Sequence, residues 1–244
     1  MSEKGGIADV ALLARVVVRQ LRDEAAASCM RRSASALALM IATLIASSAS
    51  ASLPDEAAKV SEVVQRTKTT RATYALYNWN RITRPGQSPV EEWGAEFNAG
   101  ALHRVETPRD RVIADCAAGT GSYYSVATGK VGSGPGVAGG ACGINTNRPA
   151  TEAHWLGSIA TAFGKADRIQ LSDDKYVRTY DVRADGVIVH EVIAQNLPGE
   201  PPLIVTDAIA ILPVLPSPQI FDEKSLHDSF VPDRFRRPST KASR

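Results

Sequence analysis

Residues 92–99, Glu92-Trp93-Gly94-Ala95-Glu96-Phe97-Asn98-Ala99, decide how this chain is read. Trp93, Ala95, Phe97 and Ala99 fall on one face of an extended chain and Glu92, Gly94, Glu96 and Asn98 on the other, the period-two pattern of a sheet packed on one side and wet on the other. Tyr77 and Trp79 share a face in the same way. Turn clusters recur around them at intervals of about ten residues: Arg84-Pro85-Gly86, Asn98-Ala99-Gly100, Thr107-Pro108-Arg109-Asp110 and Gly119-Thr120-Gly121. The stretch from Ala72 to Thr128 therefore predicts an antiparallel meander.

Outward from the meander the pattern changes. Upstream, Pro54-Asp55-Glu56 opens a short helix with Ala57, Val60 and Val64 on one stripe and acids in its first turn. Downstream, Lys130–Asn147 is rich in glycine and reads as a loop anchored by Cys142. Thr151–Phe163 places Trp155 or Leu156, Ile159, Ala160 and Phe163 at helical spacing, with Gly164 to end a second helix. Two alternating runs, Lys175–Arg183 and Val187–Gln195, flank Ala184-Asp185-Gly186, and Asp-Gly supplies the positive backbone angles of a tight hairpin. Leu203–Leu212 adds a strand, stopped by Pro213, Pro216 and Pro218, and Asp222–Ser229 reads as a closing turn or short helix. These elements predict a mostly antiparallel α+β domain over residues 52–230, followed by a disordered basic tail over 231–244.

The chain has 244 residues, 28 Lys+Arg against 26 Asp+Glu, and a formal charge of +2, so its total charge points to no nucleic-acid partner. All its Phe, Tyr and Trp lie after Ala51, which leaves residues 1–51 without a large aromatic for a core. Within that segment Met30-Arg31-Arg32 precedes an uncharged run from Ala34 to Ala46 and then Ser47-Ser48-Ala49-Ser50-Ala51, the order of a secretory signal peptide cleaved after Ala51. The run of stronger hydrophobes, Leu37–Ala46, is about half the roughly 20 residues a membrane-spanning helix needs. A start at Met30 would put the basic end first; alternatively Ile7, Val10, Leu13, Val17 and Leu21 form an amphipathic surface helix in the preceding segment. The product of cleavage is formally neutral, with 22 charges of each sign, and is expected in the periplasm or outside the cell.

Export leaves Cys116 and Cys142, a pair expected to form a disulfide in an oxidising compartment. Their spacing is neither Cys-x-x-Cys nor a zinc pattern. Gly134-Pro135-Gly136-Val137-Ala138-Gly139 matches the dinucleotide fingerprint in form, but Gly140-Ala141-Cys142-Gly143 is a poor helix opening and no acid follows at the required distance. His103, His154, His190 and His227 lack a second ligand at i+4, and His190-Glu191 in a strand points to opposite faces. Neither Ser122 nor Ser133 satisfies Gly-x-Ser-x-Gly. Asp173-Asp174 reads as a turn. No catalytic constellation, metal or cofactor is expected. What stands out is bulk: Tyr74, Tyr77, Trp79, Trp93, Phe97, Tyr123 and Tyr124 concentrate in the meander, either as an ordinary core or as the lining of a pocket for an apolar ligand.

The order of parts, a signal peptide, one N-terminal helix, a long meander, an intervening helix, a hairpin and late strands, resembles the periplasmic lipoprotein-carrier superfamily of LolA and LolB over Asp55–Phe230. The resemblance implies a bent, incomplete barrel closed by helices around a hollow for lipid acyl chains, lined here by Tyr77, Trp79, Trp93 and Phe97. It carries no diagnostic motif, and the glycine-rich loop with its cysteine pair departs from it. The expectation is an exported, non-enzymatic binding protein for a lipid or lipoprotein acyl chain, with transient membrane contact. The alternatives are an exported hydrolase using Ser122 or a histidine such as His190, and a structural envelope protein with a filled core.

Overall fold

The computed structural model describes residues 53–70, 72–145 and 148–236. The segment read as a signal peptide and the end of the basic tail lie outside these residues. Helix α1 (Leu53–Lys68) carries Asp55 and Glu56 in its first turn and Arg66 and Lys68 in its last, so its charges complement the helix dipole. Its buried stripe is Val60, Val63 and Thr67, while Ala57 is exposed. Strands β1 (Thr73–Ile82), β2 (Val90–Ala99), β3 (Leu102–Glu106), β4 (Asp110–Asp115) and β5 (Thr120–Ser125) follow as the expected meander. After them come β6 (Val131–Ser133), helix α2 (Pro135–Ala141), β7 (Glu152–Thr161), β8 (Gly164–Ser172), β9 (Tyr176–Arg183), β10 (Ile188–Gln195) and β11 (Ile204–Leu212). All eleven strands form one antiparallel sheet in the order β6-β5-β4-β3-β2-β1-β11-β10-β9-β8-β7, with free edges at β6 and β7. It does not close into a barrel. Among the described residues no helix is long and apolar enough to cross a membrane.

The β9–β10 hairpin turns at Asp185-Gly186 as its sequence requires: Gly186 has φ 86°, and Arg183 N–H donates to the Val187 carbonyl at 2.9 Å. Two other expectations fail. Residues 151–163 form strand β7 and its turn, not a helix. The apolar residues spaced three and four apart lie on an edge strand, and a bulge between Trp155 and Gly157 puts Trp155, paired with Ile169, and Ile159, paired with Ala166, on opposite faces. The residues 130–147 expected as a loop contain β6 and α2. Pro135 starts that helix, and its small residues let it lie close on the sheet. A Cβ at Gly121 of β5 would meet Val137 Cγ1 at 3.1 Å and the Ala138 nitrogen at 3.2 Å, so glycine there permits the approach.

The sheet is covered differently on its two faces. On one, Val60 and Val63 of α1 pack with Ile144, Ile169, Leu171, Tyr180 and Val182, while Ala138 and Ala141 of α2 pack on Ala114. On the other, a strap without long helices runs from Leu215 to Arg236, in 3₁₀ turns at Pro218–Phe221, Glu223–His227 and Asp233–Phe235. Its Ile220 and Val231 are buried against Ala75, Tyr77, Ala95 and Phe97. Arg104 of β3 is fully buried and donates to Glu106 Oε1 at 2.8 Å, the Ile220 carbonyl at 2.9 Å, Ser225 Oγ at 3.0 Å and the Asp228 carbonyl at 2.5 Å. Glu106, also fully buried, accepts from Ser229 Oγ at 2.7 Å and from the Phe230 N–H at 3.2 Å.

At the free edge, Glu56 of α1 reaches over β7 and accepts the Trp155 N–H at 3.1 Å. The expected disulfide is present, Cys116–Cys142, with Cα atoms 5.6 Å apart; it ties the end of α2 to the end of β4. Replacing both cysteines by serine is expected to lower the unfolding free energy by about 3 kcal/mol in urea titrations under oxidising conditions, through the loop it closes. Arg104→Ala is expected to cost about 3–5 kcal/mol, since it leaves the buried Glu106 with only Arg111, 3.5 Å away, as a counter-charge and the strap carbonyls without their donor, and Arg104→Met with Glu106→Leu to cost less than either single change.

Candidate binding faces

Cross-strand register places the four aromatic residues singled out in the sequence on one face. Tyr77 lies opposite Ala95, Trp79 opposite Trp93, and Phe97 opposite Ala75, all in the β1–β2 ladder. The row continues into β3, where Arg104 pairs with Phe97 and Glu106 with Ala95. This is the strap's face, and the helices lie on the other. Phe97 is fully buried and Tyr77 is 1% exposed, the two rings meeting edge to face at 6.0 Å. Phe235 of the last strap turn stacks on Tyr77 at 4.0 Å with the planes 12° apart. Trp93, partly buried, has the Arg236 guanidinium 5.6 Å from its ring and that of Arg111 at 5.8 Å. Trp79 is partly buried, and its indole N–H donates to Glu91 at 3.3 Å. The strip thus runs from Phe97, beneath the Arg104-anchored part of the strap, to Trp79, beyond it. Residues 231–236 of the tail are packed into this arrangement through Val231 and Phe235.

The opposite face of the same strands was expected to be wet, and much of it is not. Asn78 is 6% exposed, Asn98 2% and His103 6%. One row of side chains crosses five strands there: Glu92 of β2, Asn80 of β1, Thr206 of β11, Glu191 of β10 and Tyr180 of β9. Glu92 accepts from Arg109 at 2.7 Å, and Thr206 donates to Asn80 Oδ1 at 2.8 Å. On the same face, two residues along each strand, lie Asn78 and, beyond Gly94, Glu96. Glycine at 94 is a requirement: a Cβ would overlap Asn78 Oδ1 and stand 2.7 Å from Asn80 Nδ2.

Water reaches Glu96, whose side chain is 27% exposed, but the surrounding protein strips most of its hydration. Burial, and then the charge of Glu191, push its pKa up to about 7. Burial raises Glu191 as well, against the Tyr180 hydrogen bond and the Arg178 charge, which favour its ionised form. His103, with Nε2 4.0 Å from Glu96, is pushed down to about 4 by burial and is neutral near pH 7. Arg178 is held at 3.3 Å by Asp173. The alternation in the sequence marked Glu96 as polar and outward; that a second acid from β10 would share its face depended on the order of strands in the sheet.

The residues weighed for hydrolysis are apart. Ser122 on β5 donates to Glu223 at 2.6 Å, whereas His190 on β10 sits 2.7 Å from Asp207, with five strands between β5 and β10. Asp173-Asp174 forms the turn expected of it, Asp173 Oδ1 accepting the Lys175 and Tyr176 N–H groups at 2.8 and 3.0 Å. Among the described residues no group of three or more His, Cys, Asp or Glu is arranged to hold a metal ion.

No protein-family model matches the sequence, and no curated protein does. Solved structures are similar to the chain at low sequence identity. A LolA superfamily protein from Nitrosomonas europaea is similar over 68% of this chain and 99% of its own, with 7% identity and a TM-score of 0.38. An outer membrane lipoprotein-sorting protein domain from Vibrio parahaemolyticus is similar over 71% and 99%, with 9% identity and a TM-score of 0.33. An uncharacterized conserved protein from Thermus thermophilus is similar over 63% and 86%, with 12% identity and a TM-score of 0.44.

Because Glu96 has its pKa raised by folding, its contribution to stability is fully present below its unfolded value near 4.5 and is lost as pH rises through about 7. Glu96→Gln removes that loss. In chemical unfolding at fixed temperature the variant is expected to match the parent at pH 4 and to exceed it by about 1–3 kcal/mol at pH 8, the titration of His103 being common to both.

Proposed function

We propose that this chain is an exported, non-enzymatic binding protein that takes up a lipid or lipoprotein acyl chain along the strip Phe97–Tyr77–Trp93–Trp79, after removal of residues 1–51. The observation that carries this reading is the way the strip is covered. The strap from Ile220 to Phe230 is fixed by Arg104 and Glu106, but its last turn lies on Tyr77 and Trp93 through a ring stack and a guanidinium contact. Phe235 in that turn presents to Tyr77 the kind of flat apolar surface that an acyl chain would present, and displacing the turn uncovers Tyr77 and Trp93, next to Trp79, without disturbing the Arg104 anchor. Phe97 then forms the floor. Burying a hydrocarbon chain at such a surface contributes about 0.8 kcal/mol per methylene, which makes chain length the main determinant of affinity.

Two measurements test this. Lipid mass spectrometry on protein purified from its host is expected to find bound acyl chains, and N-terminal sequencing to find Ser52 first. A fluorescent fatty-acid probe is expected to bind more tightly to Phe235→Ala than to the parent, as the covering ring is removed, and more weakly to Trp79→Ala. No probe binding by either parent or Phe235→Ala would defeat the proposal.

A further inference from the structure

We propose that the helix-side face of the sheet is a second site, which binds a linear dication, an α,ω-diamine or polyamine, with one ammonium group at Glu96, the other at Glu191, and Asn78 Oδ1 between them. The acceptors are already in place. Asn78 is 6% exposed, and its Oδ1 is buried with no hydrogen-bond partner among the described residues, a state that costs about 1–3 kcal/mol unless a donor arrives. It lies over Gly94, where any side chain would collide with it, so the space between Glu92 and Glu96 on β2 is kept open to it.

Among the described residues Glu96 and Glu191 are charges without a salt bridge to Lys or Arg, unlike Glu92, which Arg109 neutralises at 2.7 Å. They stand on β2 and β10, with β1 and β11 between, yet each side chain is reached by solvent and the charge of one acts on the other. Two separated carboxylates joined by a polar strip of Asn78, Asn80 and Thr206 match two ammonium groups on one chain better than a single compact cation. The other charged and titratable groups nearby leave the pair available. Arg178 is held by Asp173, His103 is neutral near pH 7, Tyr180 hydrogen-bonds Glu191, and burial keeps Tyr74 protonated. Cation binding would also offset the burial and, second to it, the Glu191 charge that disfavour ionised Glu96.

Calorimetric titration of the full-length protein at pH 8 with putrescine, spermidine and butylamine tests the assignment. Both polyvalent amines are expected to bind at least about tenfold more tightly than butylamine, the gain expected from a second charged hydrogen-bonded contact. Glu96→Gln and Glu191→Gln should each reduce putrescine to the level of butylamine, while Glu62→Gln on the outer side of α1 leaves it unchanged. Equal binding of butylamine and putrescine by the unaltered protein, a measurement that needs no variant, would overturn the proposal. So would undiminished putrescine binding by folded Glu96→Gln, or binding of calcium alone. Because this site and the acyl-chain strip lie on opposite faces, Phe235→Ala should leave putrescine affinity unchanged.

Discussion

The buried pair Arg104–Glu106 fixes the whole strap side of the sheet. Two residues apart on β3, both side chains point to the same face, and each has no exposure. Withdrawing two charges from water is costly, and the cost is offset only when nearly every donor and acceptor finds a partner. Here those partners come from a segment more than a hundred residues downstream: the Ile220, Ser225 and Asp228 carbonyls for the guanidinium, and the Ser229 hydroxyl and Phe230 N–H for the carboxylate. The strap has no long helix or sheet pairing to hold its own backbone, so its course over Tyr77, Phe97 and Ile113 follows from where this pair stands. Contacts of such sequence separation carry a loop-closure entropy cost that the pair's hydrogen bonds must offset.

The two faces of the sheet are built on different terms. The strap side is apolar around a small charged centre, and its covering ends in a turn held by ring contacts. The helix side carries apolar clusters beneath α1 and α2 and, along the middle strands, a polar row from Glu92 to Tyr180. An apolar occupant and a cationic one would therefore meet opposite surfaces of the same β1 strand, Tyr77 and Trp79 facing one and Asn78 and Asn80 the other. Alternation along a single strand is enough to separate them.

Much of this was legible in the sequence, and the failures have physical causes. The alternation in residues 92–99, the Asp185-Gly186 turn and the spaced glycines and prolines of the meander all act locally, through backbone angles and side-chain direction, and each formed the element it implied. Strand β7 was misread because, as an edge strand, it buries no continuous face, and the bulge at Trp155–Gly157 breaks the alternation that would have marked it. Helix α2 was missed because its glycines are poor helix formers in isolation and are accommodated here by close packing on Gly121 and Ala114. Nothing local could announce Arg104 and Glu106 as buried, since their partners lie in the strap, nor bring Glu96 and Glu191 onto one face, since that depends on β11 joining β1 to β10.

The Trp155–Gly157 bulge and the reach of Glu56 over β7 have a consequence for the molecule in a crowded compartment. An open sheet ends in a strand whose unused amides invite a neighbouring chain to add itself, the first step toward fibrous assembly. On β7, ten residues long with Trp155 and Leu156 exposed, that invitation would be strong. A carboxylate occupying the Trp155 amide, next to a kink in the strand, spoils the template where it is most adhesive and so disfavours the addition of a further chain along that border.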